Sequence, residues 1–355
     1  MQRGSETIEP FCVILHLVIV RRSLLFTGPR KLDIQTETLP DPESGEATVQ
    51  TICSAISPGS EMLIYAGLFP KELAVDESIG ALAGEFGYPL KYGYAAVGRV
   101  VQIGPGVDSR WLGRLVFAFN PHESHFNAPV DDLQPLPEGL EPQQAVFLPN
   151  METAVNFLMD GKPLIGERVA VLGQGIVGLL TTALLARFPL GTLITLDRFE
   201  LRRQTALQLG AHASLDPEDE TTASRLAELL PQGADLCYEL SGSPAALNQA
   251  IALTGFAGRI VVGSWYGEKS ASLDLGGRFH RSRIQLISSQ VSTLAPEFTG
   301  RWSKARRFHL AWKMLEEVAP ARFITHRFTL ADAAQAYQLL DEQPETAIQI
   351  LFTYT

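Results

Sequence analysis

Apolar residues are distributed differently in the two halves of the chain. Up to about Asn150 they form short runs, such as Ala47 to Ser54, separated by turns rich in proline and glycine. This pattern predicts a β-rich domain. From Val169 onward, short apolar runs alternate with segments of helical periodicity, which predicts strands alternating with helices. Six such strands are typical of a doubly wound parallel sheet, so the predicted fold class is α/β.

The individual elements follow from the same runs. The N-terminal half has predicted strands at Leu17 to Val20, Leu24 to Phe26, Ala47 to Ser54, Tyr94 to Ile103, Leu115 to Phe119 and Phe126 to Asp132, then a helix at Glu141 to Met159 that Pro149 breaks. The next part has predicted strands at Val169 to Leu172, Leu193 to Leu196, near Ala213, Ala234 to Leu240, Arg259 to Ser264 and Arg283 to Ser288. The tail has predicted helices at Trp302 to Val318 and Leu330 to Leu340, the latter capped by Thr329, and a strand at Ala347 to Thr353.

The turn after the strand Val169 to Leu172 has the spacing G-x-G-x-x-G. Gly173 permits a tight turn, Gly175 lets the backbone approach a pyrophosphate, and Gly178 allows close packing of helix on strand. The helix that starts at Ile176 and Val177 offers free N–H groups and a partial positive charge to phosphates. Strand, glycine turn and helix in this order predict a dinucleotide-binding site.

The choice of dinucleotide rests on Asp197, which ends the next strand. A carboxylate there accepts hydrogen bonds from both ribose hydroxyls of NAD and repels the 2′-phosphate of NADP. Arg198 follows directly, with Arg202 and Arg203 one helical turn later, and arginines can pair with a phosphate. NAD is therefore the predicted cofactor, and NADP stays open.

Small residues follow the later strands of the sheet, where the nicotinamide end of a dinucleotide is expected. These residues are Ser241, Gly263, Ser264 and Ser289. Ligands bind outside the carboxyl ends of strands in such sheets, so the four positions are predicted cofactor contacts. The alternative is that their small size only suits tight turns.

Composition narrows the class of protein. The chain has 355 residues, a net charge of −10 and no long basic run, which argues against nucleic acid as a partner. The apolar run Phe11 to Val20 is shorter than the roughly 20 residues that span a bilayer, so no membrane partner is expected. The three cysteines lie far apart, as in reduced cytoplasmic proteins. Residues 1–16 are expected to form an N-terminal extension.

Five stretches in this order resemble the medium-chain dehydrogenase/reductase superfamily, the alcohol-dehydrogenase-like proteins. They are GYAAVGRVVQIGPGV (Gly93 to Val107), VLGQGIVG (Val171 to Gly178), YELSGSPAALNQA (Tyr238 to Ala250), GRIVVG (Gly258 to Gly263) and ITHRFTLADAAQAYQLL (Ile324 to Leu340). The resemblance implies a GroES-like β-barrel catalytic domain at 17–150, a Rossmann domain with a six-stranded sheet at 151–292, and a C-terminal return to the catalytic domain at 293–355. It also implies an active site between the domains and a homodimer, with the strand Arg283 to Ser288 as its edge.

The chain departs from the family where zinc-dependent members bind their catalytic metal. Ser57 stands at the position of the cysteine ligand, Tyr94 and Ala95 replace the histidine and glutamate of the family's Gly-His-Glu motif, and no third ligand lies between Leu148 and Met151. A catalytic zinc needs about three protein ligands. The chain therefore resembles a zinc-independent branch, and the segment SAISPGSE (Ser54 to Glu61) is similar to the branch that includes bacteriochlorophyllide dehydrogenase.

Without zinc, hydroxyl or imidazole groups must polarise the substrate oxygen. The candidate catalytic residues are Tyr94, Ser57, Ser60 and His122. Tyr94 can also simply fill the space left by zinc, and Ser60 can instead cap a helix at Met62 to Ala66.

Two histidines, His122 and His125, are spaced as H-x-x-H. Two ligands make only half of a tetrahedral site, so a solvated pair in a loop is the favoured interpretation and no metal is assigned. His122 alone suits proton transfer because the pKa of histidine lies near neutrality.

The predicted function is the NAD(P)-dependent interconversion of an alcohol and a carbonyl on a small organic substrate. One alternative is an NADPH-dependent reductase of quinones or activated C=C bonds. The other is a dinucleotide-binding sensor without catalytic activity, since fold alone does not establish function.

Overall fold

The structure is a computed structural model that describes residues 18–70, 72, 74–76 and 79–354. The expectations for the extension 1–16, for Leu17 and for Cys12 lie outside these residues. The strands and helices of the described N-terminal part are β1 (Val20–Gly28), β2 (Lys31–Thr38), β3 (Glu46–Ala55), α1 (Pro58–Ala66), β4 (Ala96–Ile103), β5 (Leu115–Ala118), β6 (His125–Pro129), β7 (Gln134–Pro135), α2 (Pro142–Ala145) and α3 (Leu148–Gly161). In the described chain, β1 and β2 form one antiparallel ribbon, and β3 to β7 belong to a larger mixed sheet.

A parallel sheet of six strands follows, with helices between most of the strands. Its elements are β8 (Arg168–Leu172), α4 (Ile176–Leu185), β9 (Thr192–Leu196), α5 (Glu200–Gln208), β10 (Ala213–Leu215), α6 (Thr222–Leu229), β11 (Ala234–Glu239), α7 (Pro244–Leu253), β12 (Thr254–Val262) and β13 (Gln285–Ser288). The order in the described chain is β10-β9-β8-β11-β12-β13, and all pairs are parallel. The chain reverses direction across the sheet between β8 and β11, which is where such sheets bind ligands. The predicted α/β class with a doubly wound sheet is confirmed.

The C-terminal residues return to the first sheet. They form α8 (Lys304–Val318), β14 (Ile324–Thr329), α9 (Ala333–Glu342) and β15 (Gln349–Thr353). Strand β15 pairs antiparallel with β3 and parallel with β14, so the chain end completes the sheet that the N-terminal part began. Gln349 is fully buried and donates from Nε2 to the carbonyl of Ile56, one residue before Ser57.

The break predicted in the helix Glu141 to Met159 is confirmed. Helix α2 ends at Ala145 and α3 begins at Leu148, with Pro149 in the first turn of α3.

Three local predictions are corrected by the structure. Helix α1 begins at Pro58 with Ser57 as its N-cap, so Ser60 lies in the first turn and does not cap a helix at Met62. Proline fits there because the first helical N–H groups have no intrahelical partner. Thr329 precedes a short 3₁₀ turn, and Asp332 is the N-cap of α9. The two predicted early strands are one strand that begins at Val20.

Two of the contacts that link the parallel sheet and its helices to the rest of the molecule involve buried or closely packed groups. Arg307 of α8 is fully buried and donates from Nε and Nη2 to Oε1 of Glu152 in α3, at 3.0 and 2.8 Å. Gly267, in the loop after β12, approaches the carbonyl oxygen of Leu68 so closely that a Cβ there would lie 2.3 Å from it. The loop after β12 therefore packs against the end of α1, which carries Ser57 and Ser60 at its start. No helix in the described residues is long and apolar enough to cross a membrane.

Candidate functional site

The glycine turn between β8 and α4 has three glycines with three different surroundings. Gly173 has φ +91°, and a Cβ there would lie 2.5 Å from the Ser241 backbone. A Cβ at Gly178 would lie 2.0 Å from the carbonyl oxygen of Gly173. At Gly175, the N-cap of α4, a Cβ would meet no protein atom within 4 Å. The protein itself therefore requires glycine at 173 and 178, whereas Gly175 faces open space at the helix N-terminus, a kind of position that suits a phosphate group.

Asp197 lies at the carboxyl end of β9, beside the glycine turn. Its Oδ2 accepts the N–H of Gln174 at 2.7 Å, and its Oδ1 accepts the N–H of Phe199 at 2.9 Å. The side chain is almost fully buried. These bonds fix the carboxylate in place and leave each oxygen a second lone pair for a ribose hydroxyl.

The three arginines near Asp197 have different partners. Arg203 donates to Asp216 at 2.8 Å and to Glu200, and Arg202 donates to the carbonyls of Pro344 and Ala347 at 3.0 Å each. Arg198 is exposed and lies 3.6 Å from Glu218. Arg198 is therefore the arginine of the three that is best placed to meet a 2′-phosphate.

The predicted contacts at the nicotinamide end are placed around the ends of β11, β12 and β13. Ser264 Oγ accepts the N–H of Gly242 at 2.9 Å, and Ser241 donates from its N–H at 2.8 Å to Glu239, a carboxylate that is fully buried. Tyr266 donates from its hydroxyl to the other oxygen of Glu239. Sequence analysis missed Glu239 and Tyr266, although an acid at the end of an apolar strand is a signal that could have indicated the first.

Gly263 and Ser289, which were predicted to contact the cofactor, also make close contacts within the protein. A Cβ at Gly263 would lie 2.3 Å from the Phe157 ring, so packing alone requires this glycine. Ser289 Oγ donates to Oδ2 of Asp160 at 2.5 Å and accepts from Asn156 at 3.0 Å. Gly263 therefore has only backbone atoms to offer a cofactor, and the hydroxyl proton of Ser289 is already donated to Asp160.

Three hydroxyl groups meet at the start of α1. Ser60 Oγ donates to Ser57 Oγ at 3.2 Å, Ser60 Oγ lies 2.9 Å from Tyr94 Oη, and Ser57 Oγ also bonds to Tyr94 Oη. Burial raises the pKa of Tyr94, so the phenol stays protonated at neutral pH. The structure thus brings together three of the four predicted catalytic residues.

The fourth, His122, lies behind this cluster and is fully buried. Its Nε2 is 3.0 Å from Oε2 of Glu61, and its Nδ1 is 2.7 Å from Ser54 Oγ. His125 instead contacts Ser124 Oγ at 3.2 Å. The interpretation of a solvated histidine pair is therefore wrong for His122, because its ring lies inside the barrel with partners of its own.

Glu61 has a larger structural role than its sequence position indicated. The side chain is fully buried, its Oε1 accepts the N–H of Ser57 at 2.7 Å, and its Oε2 also accepts the hydroxyl proton of Tyr337 in α9. An acid in the first turn of a helix is commonly a surface residue that favours the helix dipole, so the pattern alone did not predict this burial.

The side chains at the family's zinc positions do not fit a zinc ion. Ser57 and Tyr94 are neutral hydroxyls that bond to each other, and Ala95 has no ligand atom. Zinc prefers thiolate, imidazole and carboxylate ligands. Among the described residues, no group of three or more His, Cys, Asp or Glu side chains could hold a metal ion.

Comparisons with known proteins give one matching family model over part of the chain, and relatives of similar sequence. The sequence model of the family described as zinc-binding dehydrogenase matches residues 177–308. D-guloside 3-dehydrogenase of Escherichia coli (strain K12) is 25% identical over 277 residues, which cover 76% of this chain and 79% of that protein. (R,R)-butanediol dehydrogenase of Bacillus subtilis (strain 168) is 27% identical over 270 residues, covering 68% and 77%.

Solved structures of other proteins have the same fold as this chain. An alcohol dehydrogenase from Escherichia coli CFT073, complexed with NADH, has a TM-score of 0.77 at 21% identity and covers 94% of this chain and 99% of that one. A zinc-binding dehydrogenase from Sinorhizobium meliloti 1021, bound to NADP, has a TM-score of 0.75 at 18% identity, with coverage of 94% and 99%.

Proposed function

We infer that this chain, an NAD(P)-dependent dehydrogenase of the alcohol-dehydrogenase-like medium-chain dehydrogenase/reductase superfamily, interconverts an alcohol and a carbonyl group without a catalytic zinc ion. The observation that carries the proposal is the cluster of Tyr94, Ser57 and Ser60 hydroxyls, two of which stand where zinc-dependent members have metal ligands. The named relatives act on sugar derivatives and small alcohols, which supports a small hydroxylated substrate.

The hydroxyl cluster can polarise a substrate oxygen by a directed chain of hydrogen bonds. Ser60 donates to Ser57, so the Ser57 proton can be directed to Tyr94, and the Tyr94 proton closes the ring at Ser60 in the free protein. When a substrate binds, the Tyr94 proton turns from Ser60 to the substrate oxygen. A donor aimed at an oxygen whose charge changes during reaction stabilises the transition state. Burial strengthens this effect because fewer water molecules compete for the donor. When bound, the dinucleotide supplies the hydride donor or acceptor.

The domain assignment belongs to the same proposal. Residues 17–150 and 293–355 form the catalytic domain, and residues 151–292 form the dinucleotide-binding domain. Support comes from the pairing of β15 with β3 and from the packing of the loop after β12 on the end of α1. The cleft between the domains is then where the Tyr94 hydroxyl meets the substrate.

The proposal is tested by nucleotide binding and turnover on protein whose zinc content has been measured. We expect NADH to bind more tightly than NADPH, because Asp197 repels a 2′-phosphate and Arg202 and Arg203 are held by other groups. NADH oxidation should then follow addition of suitable carbonyl compounds and should persist after treatment with a chelator. Stoichiometric zinc whose removal abolishes turnover would overturn the zinc-independent mechanism.

Replacement of Asp197 by asparagine is the variant that checks the cofactor choice. The amide keeps the size of the side chain but loses the charge, so NADH affinity should fall by about tenfold and the preference over NADPH should shrink. Asp219→Asn, at an exposed acid before α6, should leave both affinities unchanged. A wild-type preference for NADPH would contradict the assignment and implicate Arg198.

The homodimer is proposed on the exposed edge of the six-stranded sheet. In the described chain β13 pairs with β12 alone, and Gln285 and Leu286 are exposed. We expect sedimentation to give twice the chain mass. Leu286→Lys, which puts a charge on the edge, should shift the protein toward monomer. A monomeric wild-type protein would contradict this proposal.

A further inference from the structure

We propose that the buried Glu61–His122 pair is a positioning device that fixes the Tyr94 and Ser57 hydroxyls relative to each other. The inference rests on the proposed function, since it assigns the pair a role in preparing that site. It also moves His122 from a residue that handles a proton to one that acts through its neighbours.

Glu61 fixes Ser57 from behind. Its Oε1 accepts the Ser57 N–H at 2.7 Å, so the carboxylate holds the backbone of the residue whose hydroxyl bonds to Tyr94. Its Oε2 receives both His122 Nε2 and the hydroxyl of Tyr337. With both oxygens bonded, the carboxylate has one orientation, and the start of α1 has one position.

His122 fixes the position of Tyr94, the hydrogen-bond partner of Ser57. A Cβ at Gly93 would lie 2.8 Å from His122 Nε2 and 2.9 Å from its Cδ2, so the ring rests directly on the Gly93 backbone. Gly93 has φ +117° and precedes Tyr94, so the ring determines where the Tyr94 backbone lies. The opposite nitrogen of the ring is held by Ser54 at 2.7 Å, and Ser54 by Tyr354 at 2.8 Å.

The burial of the pair explains why it acts through other groups. Both side chains have no exposed area, so a substrate reaches neither of them. The hydrogen bond from the cluster to Glu61 comes from the backbone N–H of Ser57, which transmits position but does not pass on a proton. A misplacement of about 1 Å in a reacting group can lower a rate about a hundredfold, so positioning alone has a measurable effect.

The test uses three variants, each of which changes one residue of this buried network: Glu61→Gln, His122→Gln and Tyr337→Phe. We expect kcat to fall about tenfold to a hundredfold, with little change in the dissociation constant of NADH, which binds at the distant glycine turn. Tyr337→Phe removes one hydroxyl from a fully buried ring and keeps its packing, so it is the variant best suited to fold normally.

Glu123→Gln is the matched control. Glu123 is next to His122 and is also buried, but its carboxylate accepts from Lys91 and Ser23 and not from the groups that Glu61 and His122 hold. Its loss should lower the melting temperature without lowering kcat. A control that lowers kcat as much as the three variants would make the effect one of general stability and would overturn the proposal.

A readout independent of turnover separates this inference from the proposed function. In protein labelled with ¹³C at tyrosine Cζ, the Tyr94 resonance, assigned with Tyr94→Phe, reports the hydrogen bonds of its hydroxyl. It should shift in Glu61→Gln and His122→Gln and stay in place in Glu123→Gln. An unmoved resonance overturns the positioning role, whereas a shifted resonance in a protein that transfers no hydride supports it and contradicts the proposed function alone.

Discussion

Tyr94→Phe should lower kcat/KM for the alcohol–carbonyl reaction by about a hundredfold, with the affinity for NADH unchanged. The change removes one hydroxyl, the last donor of the chain that runs from Ser60 through Ser57. Loss of one donor to a developing oxyanion commonly costs about 10²- to 10³-fold in rate. Steady-state kinetics and nicotinamide fluorescence titration measure the two quantities separately.

Tyr88→Phe is the control for this prediction. The Tyr88 hydroxyl donates to the carbonyl of Ile64 near the C-terminal end of α1, whereas the cluster lies at the start of that helix. Its removal should affect stability and leave kcat/KM near the wild-type value. Full activity in Tyr94→Phe would mean that Ser57 and Ser60 polarise the substrate without the phenol, and Ser57→Ala would then be the variant that loses activity.

Gly175→Ala and Gly178→Ala should both weaken NADH binding by about tenfold or more, but only the second should destabilise the free protein. At Gly178 the new methyl group would lie 2.0 Å from the Gly173 carbonyl oxygen, so the backbone must shift, at a cost of about 1 to 3 kcal/mol. At Gly175 the methyl group meets no protein atom and the backbone has φ −63°, which alanine adopts readily. There the methyl group occupies only the space that a pyrophosphate would approach.

Thermal unfolding without nucleotide and calorimetric titration with NADH distinguish the two cases. For Gly175→Ala the free energy of unfolding should change by less than about 1 kcal/mol, because a poorer N-cap and a less flexible unfolded chain offset each other. Unchanged NADH affinity in this variant would contradict the position of the pyrophosphate. A Gly166→Ala change, at a turn glycine with φ +80° before β8, separates strain from loss of binding, because it should destabilise without weakening NADH binding.

The sequence by itself determined most of the six-stranded sheet. Parallel strands that are buried on both faces need short, continuous runs of apolar residues, and the sequence contains such runs at these strands. Val169 to Leu172 lies within β8, and Leu193 to Leu196 within β9. The glycine turn could also be predicted from sequence. Glycine alone is tolerated at 173, where φ is positive, and at 178, where the Gly173 carbonyl oxygen is too close for a side chain.

Elements at the edges were harder to predict. Strands β2 and β14 carry alternating polar residues and are partly exposed, so their apolar signal is weak. The helix interruption near Pro149 was predicted, but its exact position was not. The break lies at residues 146 and 147, and Pro149 lies in the first turn of α3, where its missing N–H costs nothing. The position of the break depends on where the second helix begins, which local sequence does not define.

The candidate site depended on tertiary structure. Sequence named Tyr94 and Ser57 as candidates because of their family positions, and Ser60 because it lies close to Ser57 in the chain. Their mutual contacts arise only because the residues before β4 lie against the start of α1 in the folded protein. His122 is separated from Glu61 by 61 residues, and Tyr337 by 276, and both reach the same carboxylate oxygen. Local patterns determine which residues can form strands, turns and helices. Long-range packing decides which polar groups are buried together, and it is what brings Glu61, His122 and Tyr337 into contact.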